Sequence, residues 1–282
     1  MSSIAVIVAL SSELMLLWQK TNSAPKREIE GVRFFLGEAG GQEVILIQSG
    51  VGSKRAERAT SLLLENYSTD LIISAGYAGA LQPHLRAAEL VIPQEIYERY
   101  LEKKKEGEPA GALKLAIKVD DNLIRFARQL AEEARLRFHS GNLITSAKVI
   151  SQPASKRLLG QEYSLVAVDM ETAAVGRVAE RNGIPFLSIR SVLDPIDLKI
   201  DLPWEQFIDK RGEVKFGFKS VFLLKKPWMA WRFMMIKRNM RQASNTLGMF
   251  IYHLILNWGR FAQSSGYEGT TNAKRLSSEQ KG

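Results

Sequence analysis

The stretch that decides the reading is VAVDMETAAV, residues 166–175. An apolar, strand-like run ends on two acids, Asp169 and Glu171, with Met170 between them, and small residues suited to a helix follow. A buried strand with no task beyond packing would finish on a neutral turn, so the carboxylates need a reason. Strand alternation sends Asp169 to the side opposite Met170. From the residues alone, Asp169 reads as a structural hydrogen bond or a subunit contact.

Working outward, IAVIVAL (4–10) is a short apolar run suited to a buried strand, and Ser11 and Ser12 can cap the helix after it. VRFFLG and EVILIQSG flank EAGGQ, a hairpin pattern. KRAERATSLLLENY (54–67) has helical spacing, LIISAG (71–76) is a further strand, and AELVIPQEIYE suggests another. DDNLIRFARQLAEEARL is an amphipathic helix with Leu123, Phe126, Ala127 and Leu130 on one face. FHSGNLITSA and SLVAVDM read as strands, ETAAVGRVAERNG as a helix stopped by Gly183, and PFLSIRSVLD as the last strand. This alternation, up to about residue 200, predicts an α/β fold with a mixed, largely parallel central sheet sandwiched by helices. Such sheets bind ligands beyond the carboxyl ends of their strands. Glu13, Gly50–Gly52, Gly76–Gly79, Glu171 and Asp194 all fall just past strand ends.

With 282 residues at 45% hydrophobic, the chain can build one full α/β domain plus an appendage. Cysteine is absent, which excludes disulfides and thiolate metal sites. His84, His139 and His253 are scattered, so neither a metal nor a cofactor is expected. GVGSKR lacks the third glycine of a dinucleotide turn, and no G-x-S-x-G elbow occurs. Residues 1–24 lack the basic start and apolar core of a signal peptide, so a cytoplasmic location is expected, peripheral to the inner face of a membrane.

The formal charge of +9 is concentrated. From Val214 to Tyr267 there is no acid, while Lys215, Lys219, Lys225, Lys226, Arg232, Lys237, Arg238, Arg241 and Arg260 account for the whole excess. The organisation expected is a catalytic domain over 1–203, a basic amphipathic helical module over 204–263, and a polar, disordered tail over 264–282.

Glu13, Glu171 and Asp194 form a set that suits one chemistry. Breaking an N-glycosidic bond develops positive charge on the sugar, requires a proton for the departing base and requires an activated nucleophile. Carboxylates serve all three needs. Taken singly, each also fits a helix cap or a turn.

VAVDMETAAV, followed after a helix by PFLSIRSVLDP, resembles the signature of the purine nucleoside phosphorylase and methylthioadenosine/adenosylhomocysteine nucleosidase superfamily. IAVIVALSSEL resembles the nucleosidase N-terminus. The resemblance spans roughly residues 4–200. It implies that Asp194 protonates N7 of a purine, that Glu171 binds the ribose hydroxyls with Met170 against the sugar, and that Glu13 is the base on an attacking water held with help from Arg190. It places Val51 and Gly52 at the ribose and the backbone of Ile150 at the base, with Gly79 in the binding loop. The chain departs from the pattern at Tyr77, where a small residue is usual, at Val149, where an aromatic often stacks on adenine, and at Leu193, where a serine commonly precedes the acid. A carboxylate at Glu13, with no arginine in that loop, repels phosphate and suits water, although relatives carry the label phosphorylase.

The segment FGFKSVFLLKKPWMAWRFMMIKRNMRQASNTLGMFIYHLILNW interleaves cations with tryptophans and methionines. No apolar run reaches the ~18–20 residues of a spanning helix, so a helix lying in the membrane interface is expected. The competing reading is that the same face packs on the catalytic domain or a partner subunit. The apolar content exceeds what nucleic-acid binding needs, and none is expected. DLPW, the GEV step and the basic KKP segment resemble the hopanoid-associated phosphorylase family. That resemblance implies release of adenine from adenosylhopane to give ribosylhopane, with a purine nucleoside lipid as substrate. The alternatives are a soluble methylthioadenosine/adenosylhomocysteine or futalosine-type nucleosidase, a purine nucleoside phosphorylase, or a lipid-binding scaffold. The superfamily resemblance also implies a homo-oligomer, with a dimer expected.

Overall fold

The structure is a computed structural model, and it describes residues 2–22, 27–99, 113–161, 164–198 and 227–267. The apolar runs form strands as their composition dictates. They are β1 (Ser3–Val8), β2 (Arg27–Ile29), β3 (Val32–Ala39), β4 (Gln42–Gln48), β5 (Leu71–Ala80), β6 (Leu90–Arg99), β7 (Leu113–Lys118), β8 (Phe138–Thr145), β9 (Leu165–Asp169) and β10 (Phe186–Asp194). The helices are α1 (Ser11–Lys20), α2 (Ser53–Asn66), α3 (Asp121–Glu133), α4 (Pro153–Gln161), α5 (Thr172–Arg181) and α6 (Pro227–Ser265).

The strand order is β10-β6-β8-β9-β5-β1-β4-β3-β2, and β10 also pairs with β5. The strands β5, β9, β8, β6 and β10 therefore close on themselves, while β1, β4, β3 and β2 extend from β5. Pairing is parallel along β4-β1-β5-β10 and along β6-β8-β9, with antiparallel joins between and beyond them. β3 and β4 form the expected hairpin, turned at Gly40 and Gly41.

Register sets the site. β1 and β10 both run parallel to β5; β1 pairs as far as Ser74 and β10 as far as Gly79, and the turn after β1 brings Glu13 to the Tyr77 amide. Asp194 lies opposite Gly79, and Gly79 also lies opposite Val168 on β9. Three chain segments that carry acids thus finish around one strand end.

The stripe Leu123, Phe126, Ala127 and Leu130 of α3 is buried, and its first turn is capped by Asp120, which accepts from the Asn122 and Leu123 amides. Gly183, at φ 64°, follows the end of α5 as expected. Ser11 and Ser12 do not cap α1. They are its first residues, and the carboxylate of Glu13 accepts from the Ala9 and Leu10 amides instead. The sequence gives weak signals for β7, which alternates little, and for α4, a short helix with a glycine inside it.

Of the two readings of the basic segment, α6 takes the one in which its apolar face packs on the catalytic domain. Leu247, Phe250, Ile251, Leu254, Ile255 and Trp258 are fully buried in the same core as Ile4, Leu17 and Leu46. Trp258 packs beside Phe126 and Phe261, and its indole N–H donates to Ser2 Oγ at 3.1 Å. Gly248 lies against Leu16 of α1, where a β-carbon would come within 2.8 Å of that side chain. The apolar face assigned to a separate module is spent on the catalytic core, because β10 and α1 leave an apolar surface that α6 covers. The cations Lys237, Arg238, Arg241 and Arg260 stay exposed on the far side. DLPW, GEV and the lysines Lys225 and Lys226 lie outside the described residues. Of the expected polar tail, Ser264 and Ser265 close α6, and residues 268–282 lie outside the described set. Among the described residues, no helix is long and apolar enough to cross a membrane.

A Trp258→Ala substitution is expected to destabilise the whole protein by about 3–5 kcal/mol, read as a lowered midpoint in a single denaturant transition. A second transition, with the main midpoint unmoved, would show instead that α6 is a separate unit.

Candidate active site

Glu13 sits in the first turn of α1 and is buried. Its Oε2 accepts from the Ala9 and Leu10 amides at 2.9 and 2.7 Å, and its Oε1 from the Tyr77 amide at 2.8 Å. Three backbone donors, two from the turn after β1 and one from β5, fix this carboxylate in place. Burial pushes its pKa up, while those N–H groups and the nearby Arg190 pull against that, and burial wins.

Glu171 follows β9 and accepts from the Gly52 amide at 2.7 Å. Gly52 has φ 106°, a conformation open to glycine and costly for other residues, so the loop can turn its N–H to the acid. Burial raises the Glu171 pKa strongly, and the neighbouring carboxylate of Asp169 adds to it.

Asp169 touches the same cavity, and its carboxylate is held by a buried polar cluster. It accepts from Thr145 Oγ1 at 2.7 Å and the Thr172 amide at 2.9 Å, and it pairs with Arg190 at 2.9 Å. The hydrogen-bonding role read from strand alternation is the one its contacts show. The guanidinium of Arg190 is buried, and it also donates to Ser74 Oγ at 2.6 Å and to Thr172 Oγ1. Gly76 leaves room for it. A β-carbon there would collide with Arg190 Nη1 and come within 3.0 Å of Glu13 Oε1.

Asp194 closes β10. Burial pushes its carboxyl up to about 6, against the opposing pull of Lys156, whose fully buried ammonium pairs with it. Gly79 gives the acid its space, since a β-carbon there would stand 2.9 Å from Asp194 Oδ1.

These groups surround one cavity of about 150 Å³. Glu13, Glu171, Asp194, Met170, Val51, Tyr77, Gly79, Val149 and Ile150 line it. Two residues chosen from the sequence do not. Gly52 stands behind Glu171 and holds it. Arg190 is bonded to Asp169, Ser74 and Thr172, and its charge lies near Glu13. The sequence reading missed Lys156, because SKRLLG looks like any solvated helix. It also missed the bracing by α6: Asn239 donates to the Leu193 carbonyl at 3.2 Å, Ser244 to the Ser12 carbonyl at 2.6 Å, and the Tyr77 hydroxyl to the Met240 carbonyl at 3.4 Å. Among the described residues, no cluster of His, Asp and Glu could hold a metal ion.

Buried carboxylates from separate loops around one apolar-walled cavity, at the strand ends of a mixed α/β sheet, are the layout of an enzyme that cleaves a glycosidic bond. The chain belongs to the Phosphorylase superfamily, whose family model matches residues 3–215. It is 31% identical over 217 residues to the 5′-methylthioadenosine/S-adenosylhomocysteine nucleosidase of Bacillus cytotoxicus, covering 73% of this chain and 92% of that protein. The Bacillus cereus nucleosidase of the same name is 30% identical over the same shares. The fold is that of the Neisseria meningitidis 5′-methylthioadenosine/S-adenosylhomocysteine nucleosidase (TM-score 0.72, 19% identity, 91% of this chain and 100% of that one). It is equally that of a futalosine hydrolase from Helicobacter pylori (TM-score 0.72, 16% identity, 90% and 99%).

A carboxyl whose folded pKa is raised stabilises the protein below its ordinary value and loses that contribution as pH rises through the raised one. For Glu171 this loss falls above the ordinary carboxylate range. Glu171→Gln is therefore expected to reduce the fall in Tm between about pH 5 and about pH 8, measured by calorimetry. An identical fall in both proteins would contradict the assignment.

Proposed function

We propose that this chain is a hydrolytic nucleosidase that releases the base from a 5′-substituted purine nucleoside of the methylthioadenosine/adenosylhomocysteine type. One observation carries the reading: Glu13, Glu171 and Asp194, from three segments far apart in sequence, line one cavity. Asp194 gives its proton to N7 of the purine, and the C1′–N9 electron pair leaves with the base. Glu171 accepts from the ribose hydroxyls and stabilises the positive charge growing on the sugar. Glu13 takes a proton from water as its oxygen bonds to C1′. The proton lost by Asp194 and the one gained by Glu13 balance the cycle after exchange with solvent.

Water is favoured over phosphate on electrostatic grounds. Of the described residues lining the cavity, only Lys148 is cationic, and it is exposed. Arg190 is already paired. A phosphate dianion would meet Glu13 and Glu171 without compensation. The curated relatives, named as nucleosidases, support the same choice.

A second reading keeps the chemistry and changes the substrate to an adenosylated hopanoid lipid taken from a membrane surface. It rests on the exposed Met15 and Trp18 of α1 and Met249 and Leu256 of α6, two helices packed together, with the exposed cations of α6 close by in sequence. An interfacial surface needs both features. No relative named above is described as acting on a lipid, so this reading stands second.

Release of adenine from methylthioadenosine, followed with and without phosphate and with and without anionic liposomes, tests both. Phosphate-independent turnover of the soluble nucleoside is expected, with free ribosyl product in the mass spectrum. Turnover of adenosylhopane in liposomes alone would reverse the order, and a ribose 1-phosphate product would overturn hydrolysis. Asp194→Asn is expected to lose about 10²–10⁴ in kcat with the circular dichroism spectrum unchanged.

A further inference from the structure

Lys156 is a fully buried lysine on α4, outside everything the reaction above has used. Its Nζ bonds to the carboxylate of Asp194 and, at 3.3 Å, to the main-chain carbonyl of the same residue. Burying an ammonium costs several kcal/mol even when it is paired, and a methionine would fill the space without that cost. The fold also spends packing on the placement. Gly160, one turn further along α4, presses on the Leu81 carbonyl where no β-carbon fits, and Gln82 ties the helix down by donating to the carbonyls of Gly160 and Leu165 at 2.7 and 2.8 Å. Leu81 directly follows β5, the strand that carries Gly79 beside Asp194. The helix bearing Lys156 is thus locked to the strand that bounds the acid.

We propose that Lys156 is the positioning residue of the acid: it fixes the Asp194 carboxylate toward the leaving base and sets the pH range over which that carboxyl holds its proton. This rests on the reading of Asp194 as the proton donor. The cation stabilises the carboxylate left after transfer, so it makes Asp194 a stronger acid and reduces the fraction protonated at neutral pH. The two effects oppose each other, and the pair tunes the acid between them. Among the described residues, the other ionisable groups lining the same cavity are Glu13 from α1, Tyr77 from β5, Lys148 from the β8–α4 connection, Asp169 at the end of β9 and Glu171 after it. On β10 itself, Arg190 is paired with Asp169. α6 presents the neutral amide of Asn239 to Leu193.

The test is a ¹³C NMR titration of full-length protein labelled at aspartate Cγ, with the Asp194 resonance assigned by its loss in Asp194→Asn. In Lys156→Met the Asp194 midpoint is expected to rise by about 1–3 pH units, and in Lys156→Arg it returns toward the wild-type value. The alkaline limb of kcat/KM for adenine release from methylthioadenosine is expected to move up with it. Should Lys156→Met fail to fold, Lys156→Gln removes the same charge and carries the same expectation. A midpoint that stays or falls in a folded variant overturns the proposal, as does a midpoint that rises while the alkaline limb stays put. Full activity in Asp194→Asn overturns the donor assignment instead, and the NMR midpoint still reports whether Lys156 controls the carboxyl.

Discussion

Several carboxylates of like sign share one cavity and are largely buried in it, and the rest of the molecule is arranged around that fact. Each acid loses solvation on burial, which disfavours its charged form. The fold offsets the loss by a different device in each case. Glu13 is held by three backbone N–H groups, Glu171 by the amide of Gly52, Asp169 by Arg190, and Asp194 by Lys156. For Asp194 and Glu171 the offset is incomplete, and burial leaves their carboxyls at about 6 and about 8, within reach of neutral pH, where a proton donor is needed.

The geometry follows from parallel register. β1 and β10 run alongside β5 in the same direction, and β9 meets β5 at Gly79, so segments from remote parts of the chain arrive at one place. Glycines occupy the points of closest approach. Gly76 makes room for Arg190 behind Glu13, and Gly79 makes room for Asp194. α6 then covers the apolar side of α1 and β10 and holds the loops from outside through Asn239, Ser244 and the Met240 carbonyl. Its bonds to the Ser12 and Leu193 carbonyls sit one residue from Glu13 and one from Asp194. The helix that the composition marks as distinct is therefore part of what keeps the acids in register.

Much of this was legible in the residues, for stated physical reasons. Strand and helix periods are local, so the alternation to about residue 200 and the carboxyl-end location of the acids could be read directly. VAVDMETAAV tied Glu171 and Met170 to the cavity, and the structural hydrogen bonding that was one of two readings of Asp169 is present. What the residues hid was long-range. Nothing near Lys156 announces that its ammonium ends at Asp194, since its neighbours are those of a surface helix. Arg190 sits in a strand, and only the closed sheet shows that it turns to Asp169 rather than to the cavity. In α6 the cations and the apolar residues are interleaved in sequence but divided between two faces in space. A run without acids fits a lipid surface and a protein core equally well, until the core that needs covering is seen.

The most direct test of the shared carboxylate site is a crystal structure of Asp194→Asn with methylthioadenosine bound. The expected arrangement has purine N7 facing residue 194, the ribose hydroxyls on Glu171, and a water between Glu13 and C1′. A nucleoside bound outside this cavity, or one whose sugar lies away from Glu171, would contradict the account.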